Sequence, residues 1–189
     1  MKYKVVIIGG SAGSFQVVTK IISKLPKDYS IPVVLALHRL KHVRHGFVEA
    51  LSIKANLPVV EPLDKDSMKP GKIYLAPANY HLYLELTGTF ALSTEEPVNH
   101  SRPGIDLTFA TAGYAYKNKA VGIILSGANK DGALGLKKIK DYGGYTIVQD
   151  PREAQMPTMP NAAIEKTKSV DKILTSDDII KFLISLPNA

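Results

Sequence analysis

The chain has no cysteine. That excludes disulfides, a thiolate nucleophile and Cys-ligated zinc, although it does not fix the compartment. No apolar run approaches the length needed to span a membrane. Lys2 and Lys4 precede an apolar stretch in the manner of a signal peptide, but the stretch is too short and leads straight into a glycine turn. A cytoplasmic chain without membrane insertion is therefore expected. No low-complexity segment, repeat or linker divides the sequence, so its 189 residues are read as one domain, 1–189, with a sizeable core. Dense Lys/Arg blocks are also missing. The formal net charge is +7, yet the basic residues mostly sit singly on helix faces. A solvated surface is preferred over a nucleic-acid groove, and no nucleic-acid partner is expected.

The stretch from Lys4 to Ser14 organises what is present. Val5-Val6-Ile7-Ile8 is an unbroken apolar run, as in a parallel strand buried on both faces. It turns through Gly9-Gly10-Ser11-Ala12-Gly13 into a helical pattern of Phe15, Val18, Ile21, Ile22 and Leu25. Three readings of this turn stay open. G-x-S-x-G between strand and helix is the context of a nucleophile elbow, with free helix N–H groups nearby for an oxyanion. The same letters are a degraded dinucleotide fingerprint, with Ser11 where a glycine should let the pyrophosphate approach and with Arg39 as a candidate 2′-phosphate partner. The third reading is a tight turn that needs small residues.

Taken in order, the pattern predicts strands at 31–37 and 59–60, a helix over 46–55, and short strands at 72–75, 81–86 and 90–92. The last group is expected to include an antiparallel pair attached to the main sheet. A helix over 105–116, a strand at 120–125, a helix over 134–141 and a strand at 145–148 follow. A short helix running through Ile164 comes after Pro160, and a final helix starts near Thr175-Ser176-Asp177-Asp178. The fold class expected is α/β, a doubly wound, mostly parallel sheet with flanking helices and an antiparallel hairpin extension.

In such sheets ligands bind at the carboxyl ends of the strands. Ser11, His38 and Asp131 all fall there. A serine, an imidazole and a carboxylate are the parts of a nucleophile–base–orienter relay. Their order, Ser, His, Asp, differs from the Ser, acid, His order of α/β-hydrolases.

These residues stand in blocks that resemble the catalytic domain of the chemotaxis protein-glutamate methylesterases, the CheB family, over nearly the whole chain. The elbow Ile8-Gly9-Gly10-Ser11-Ala12-Gly13-Ser14 is similar to I-G-x-S-x-G-G. His38 matches the histidine ending the second strand. Ala76-Pro77-Ala78-Asn79-Tyr80-His81-Leu82 resembles A-P-x-x-x-H-L, and Arg102-Pro103-Gly104-Ile105-Asp106 resembles R-P-S-x-D. Ser126-Gly127-Ala128-Asn129-Lys130-Asp131-Gly132-Ala133 resembles T-G-M-G-x-D-G-A, and Thr158-Met159-Pro160-Asn161-Ala162-Ala163-Ile164 resembles the late G-M-P-x-x-A-I block. The resemblance implies a methylesterase, also able to deamidate glutamine, with Ser11, His38 and Asp131 catalytic. Backbone N–H groups of Ala12 or Ala128 would hold the oxyanion, and Arg102 would position substrate. It implies no cofactor and no metal, and as partners the methylated cytoplasmic helices of chemoreceptors, whose acidity suits a basic protein. Family members usually carry an N-terminal phospho-receiver domain, whereas this chain begins at the first catalytic strand, so a stand-alone catalytic domain is expected.

Departures from the family pattern lie at Ala12, Ser14, Arg39-Leu40, Ala50 and Ala128. They change side chains, not backbone donors, and motivate the alternative of a non-catalytic binding module in signalling. His38, His42 and His45 have helix-like spacing, but Arg39, Lys41 and Arg44 among them would repel a cation, so a metal site is not favoured. His81 is read as a satisfied, partly buried residue and His100 as part of a solvated loop. Asp106 is read as a cap or a partner of Arg102, and Asp150 and Glu153 as loop acids.

Overall fold

The computed structural model describes residues 2–39 and 46–188. Its centre is a seven-stranded parallel sheet. In chain order the elements are β1 (Val5–Gly10), α1 (Phe15–Lys24), β2 (Val33–Leu37), α2 (Phe47–Ser52), β3 (Val59–Val60), β4 (Ile73–Leu75), β5 (His81–Leu84), β6 (Phe90–Ser93), α3 (Ile105–Tyr116), β7 (Ala120–Ile124), α4 (Ala133–Asp141), β8 (Tyr145–Gln149), α5 (Thr158–Thr167), β9 (Lys172–Leu174) and α6 (Ser176–Ser185). The sheet order is β3-β4-β2-β1-β7-β8-β9. From β1 the chain adds β2, goes to the edge as β3 and returns to place β4 between them, then crosses back to build outward from β7. β1 and β7 flank the point where the order reverses.

The apolar runs form strands because both faces of the sheet are covered. Val6, Ile8, Leu35 and Ile123 face a core completed by Val18, Ile21 and Ile22 of α1 and Ile179 and Leu183 of α6. Val5, Ile7, Val34 and Ile124 face the opposite core, with Phe109 of α3 and Leu136 and Ile139 of α4. Successive side chains point to opposite faces, so consecutive apolar residues are required at every strand position. α6 starts as expected: Thr175 caps it by accepting the Asp178 N–H, and Asp177 and Asp178 sit in its first turn.

Four expectations need correction. The β5–β6 hairpin is not attached to the main sheet but forms a sheet of its own. Its apolar side, Leu82, Leu84 and Phe90, lies with Tyr74 and Phe109 in the second core. Its outer backbone groups are taken elsewhere: the Leu84 N–H donates to Thr111 Oγ1, and Phe90 exchanges bonds with the backbone of Lys65 and Asp66. α5 begins at Thr158, before the expected start, because Pro160 occupies the first turn, where no intrahelical N–H bond is lost. The short edge strand β9, absent from the expectation, pairs with β8 through Lys172, Ile173 and Leu174. α2 is also shorter than expected, ending at Ser52.

Phe109 is fully buried and reaches the backbones of both central strands because glycines leave room for it. At Gly135 the two helices approach so closely that an added Cβ would stand 2.6 Å from Phe109 Cβ and 2.8 Å from the Asp106 carbonyl oxygen. Phe109→Ala is expected to lower unfolding free energy by about 3–5 kcal/mol through the cavity it leaves. Gly135→Ala should cost about 1–3 kcal/mol through overpacking. Urea titration with an unchanged m-value checks both.

Candidate active site

The site is assembled by the ends of three adjacent strands. Gly10 lies opposite Leu37 in the β1–β2 register. One residue further on, the His38 N–H donates to the Gly10 carbonyl, and the Ser11 N–H donates to the Ser126 carbonyl beyond β7. The ladder therefore runs just past the strands and brings Ser11, His38 and the 126–131 loop to one edge. Gly13 has φ +79°, and a Cβ there would meet Ser126 Oγ at 2.8 Å, so the turn requires glycine. Ser14 Oγ donates to the Ser11 carbonyl and Ser126 Oγ to the Ala12 carbonyl, which fixes the elbow from both sides.

The imidazole and the carboxylate meet. His38 Nε2 lies 2.7 Å from Asp131 Oδ2, with the Asp131 side chain fully buried and that of His38 10% exposed. Asp131 also accepts N–H bonds from Ile105 and Asp106, which open α3, and from Gly132 and the Asn99 amide. Burial works against its ionised form, but the hydrogen bonds from His38 and from the Ile105 and Asp106 N–H groups outweigh it and hold its carboxyl below the ordinary range. Asp106 behaves oppositely: burial and the neighbouring Asp131 charge raise it, although the Gly135 N–H and the Asn99 amide bond to it. The two acids exchange helix ends, since Asp131 precedes α4 and binds the start of α3, while Asp106 in α3 binds Gly135 in α4. Asp106 therefore caps rather than pairing with Arg102; among the described residues no ion pair joins those two.

Ser11, Ala12, His38, Ser101 and Asn129 line a cavity of about 510 Å³, with Phe15, Leu37 and Phe47 as its apolar wall and Arg39 beside them. Among the described residues no hydrogen bond joins Ser11 Oγ to His38; catalytic contacts of this kind often tighten only when substrate is bound. His38 Nδ1 instead faces Ser101 Oγ at 3.3 Å and Asn129 Nδ2 at 3.4 Å. Arg39 is buried in an ion pair with Glu61, with its guanidinium 5.0 Å from the Phe47 ring centre. It builds the wall, and its placement gives the dinucleotide reading of the elbow no support.

Arg102 is not brought to this cavity. Its guanidinium donates to the Thr94 and Glu95 carbonyls and lines a different cavity with Glu61 and Tyr80. Ala128 is exposed and lies outside the cavity lining. His81 is fully buried, with Nε2 bonded to the Glu96 carbonyl and Nδ1 accepting the Gly104 N–H, so it ties down the approach to α3. Glu153 holds the Ser176 N–H and hydroxyl at the start of α6. His42 and His45 lie outside the described residues. Among the described residues there is no cluster of His, Cys, Asp or Glu fit to hold a metal, and no helix long and apolar enough to cross a membrane. Sequence reasoning assigned no role to Asn99, Ser101 or Asn129. The one available signal was that Asn129 stands two residues before Asp131, where an asparagine folds back onto the chain.

The family model described as CheB methylesterase matches residues 6–183. The chain belongs to that family. A Thermotoga maritima protein named protein-glutamate methylesterase/protein-glutamine glutaminase is 34% identical over 190 residues, covering 97% of this chain and 54% of that protein. This chain thus spans about half the length of that CheB relative. A Leptospira interrogans protein that carries the same name provisionally is 42% identical over 186 residues, covering 98% of this chain and 96% of that one. The crystal structure of the Thermotoga maritima CheB methylesterase catalytic domain superposes with a TM-score of 0.91 at 34% identity, covering 98% of this chain and all of that one.

The lowered Asp131 pKa makes a sign-definite prediction. Its stabilising contribution is present above the unfolded carboxylate value, about 3.9, and is lost as pH falls through the lower folded value. The raised Asp106 contributes in the opposite sense, with stability present below that value and lost as pH rises through its folded pKa. Asp131→Asn should therefore flatten the loss of unfolding free energy below about pH 4 relative to the parent, measured by denaturant titration across pH.

Proposed function

We infer that this chain is a protein-glutamate methylesterase, a serine hydrolase that cleaves γ-glutamyl methyl esters on cytoplasmic helices of chemoreceptors. The observation that carries the reading is the 2.7 Å His38–Asp131 contact at the wall of the cavity that Ser11 shares. Family membership supports the substrate class.

In this reading Asp131 fixes the Nε2–H tautomer of His38, which leaves Nδ1 as the base. Ser11 attacks the ester carbonyl and its proton passes to Nδ1. Developing charge on the carbonyl oxygen is met by the Ala12 N–H on the cavity wall. Ala128, outside the lining, is the weaker of the two backbone donors expected. Nδ1 returns the proton to the departing methoxide, releasing methanol, and water then hydrolyses the acyl-enzyme to glutamate. Ammonia replaces methanol as leaving group when glutamine is deamidated. Asp131 stabilises the imidazolium without taking the proton. Arg102 holds substrate from outside the Ser11 cavity.

Ser11→Ala and His38→Ala should each remove nearly all methanol release from methylated receptor, because residues acting as one unit lose similar activity whichever is deleted. Arg102→Ala should cost roughly 10- to 100-fold, since it touches no reacting atom. Unchanged release in Ser11→Ala would refute covalent catalysis. A parent protein that binds receptor but releases no methanol would establish the non-catalytic binding module instead.

A further inference from the structure

Asn129 is an amide on the cavity wall to which the relay gives no task. Its orientation is fixed by the chain itself. Oδ1 accepts the Asp131 N–H at 3.1 Å, so Nδ2 is the atom turned to His38, 3.4 Å from Nδ1. The ring is fixed as well: Nε2 is engaged with Asp131, so Nδ1 carries the lone pair. An amide nitrogen has two N–H groups. Among the described residues no acceptor other than Nδ1 takes either of them, and the amide shares its cavity with Ser11 and Ala12.

We propose that the Asn129 amide is an oxyanion donor, transferred from His38 Nδ1 to the reacting carbonyl oxygen during acylation. The proposal rests on the serine-esterase reading above. As the bond from Ser11 Oγ to the ester carbon forms, the hydroxyl proton moves to Nδ1 and the carbonyl π pair moves onto oxygen. A protonated Nδ1 no longer accepts a hydrogen bond, and an N–H facing it is repelled. The new oxyanion is then the acceptor within reach, and Asn129 joins the Ala12 N–H there. On collapse the pair returns to the carbonyl, the bond from carbon to the methoxy oxygen breaks, and that oxygen leaves with the Nδ1 proton as methanol. Nδ1 then accepts from Asn129 again. The bond given up is long and neutral, whereas the bond gained is to a charge, so the donor favours the transition state over the ground state. Its role in deacylation is the same, with water as the nucleophile.

The test uses 4-nitrophenyl acetate as the ester probe, with kcat and KM measured across pH. Asn129→Ala should lower kcat about 100-fold at every pH with little change in KM, as loss of an oxyanion donor does. Asn129→Asp keeps the acceptor for the Asp131 N–H, and so the loop, but has no N–H to give; it should lose at least as much. Parent-like kcat in Asn129→Ala overturns the proposal. So does a loss confined to the acid limb of the profile, which would mean that Asn129 only positions His38. A parent enzyme without turnover, or a Ser11→Ala enzyme with full turnover, sinks the esterase reading itself and the donor role with it.

Discussion

The carboxylate of Asp131 is the group on which the rest of this structure depends. It is fully buried, and a charge there is tolerated only because donors surround it. Those donors come from separate parts of the chain: His38 after β2, the first N–H groups of α3, Asn99 before that helix, and Gly132 at the start of α4. The group that orients the histidine is therefore also the group that anchors α3. Asp106 completes the clamp in the reverse direction through Gly135, where the missing Cβ lets the helices close. Positioning of His38 and packing of α3 on α4 are one constraint, and a shift in either moves the other.

That clamp works because of where the topology places it. β1 and β7 are neighbours in the sheet although most of the chain separates them, and loops leaving them diverge to opposite faces. The elbow after β1 and the Asp131 loop after β7 share the crevice so formed, with His38 supplied by β2 on the next strand. Ser126 joins the two loops directly by donating to the Ala12 carbonyl and receiving the Met156 N–H. Phe15 and Phe47, in edge contact with ring centres 5.0 Å apart, form an apolar part of the cavity lining.

Much of the fold could be read from the chain because its strands are buried on both faces, so that β1, β2 and β7 appear as unbroken apolar runs. β9 carried no such mark, since Lys172 and Ile173 are exposed at the sheet edge. The hairpin was legible as two strands, but alternation says nothing about partners, and its edges went to Thr111 and the 65–66 backbone. Pro160 suggested a loop because an interior proline breaks helices, whereas a first-turn proline does not. Ser11, His38 and Asp131 could be singled out because strand ends are where such sheets place polar groups. Asn99, Ser101 and Asn129 lie in loops, where no periodicity separates a functional amide from a solvated one. Arg102 also stood out beside a motif, but the sequence did not show that carbonyls of the 94–95 segment hold its guanidinium outside the Ser11 cavity.

The central claim is that His38 Nδ1 activates Ser11, although among the described residues the hydroxyl hydrogen-bonded to that nitrogen belongs to Ser101, at 3.3 Å. Reaction with a serine-directed fluorophosphonate, followed by peptide mapping of the modified residue by mass spectrometry, decides between them. The account predicts one adduct, on Ser11, that disappears when His38 is replaced by alanine. An adduct on Ser101, or a folded protein that the probe leaves unmodified, would contradict it.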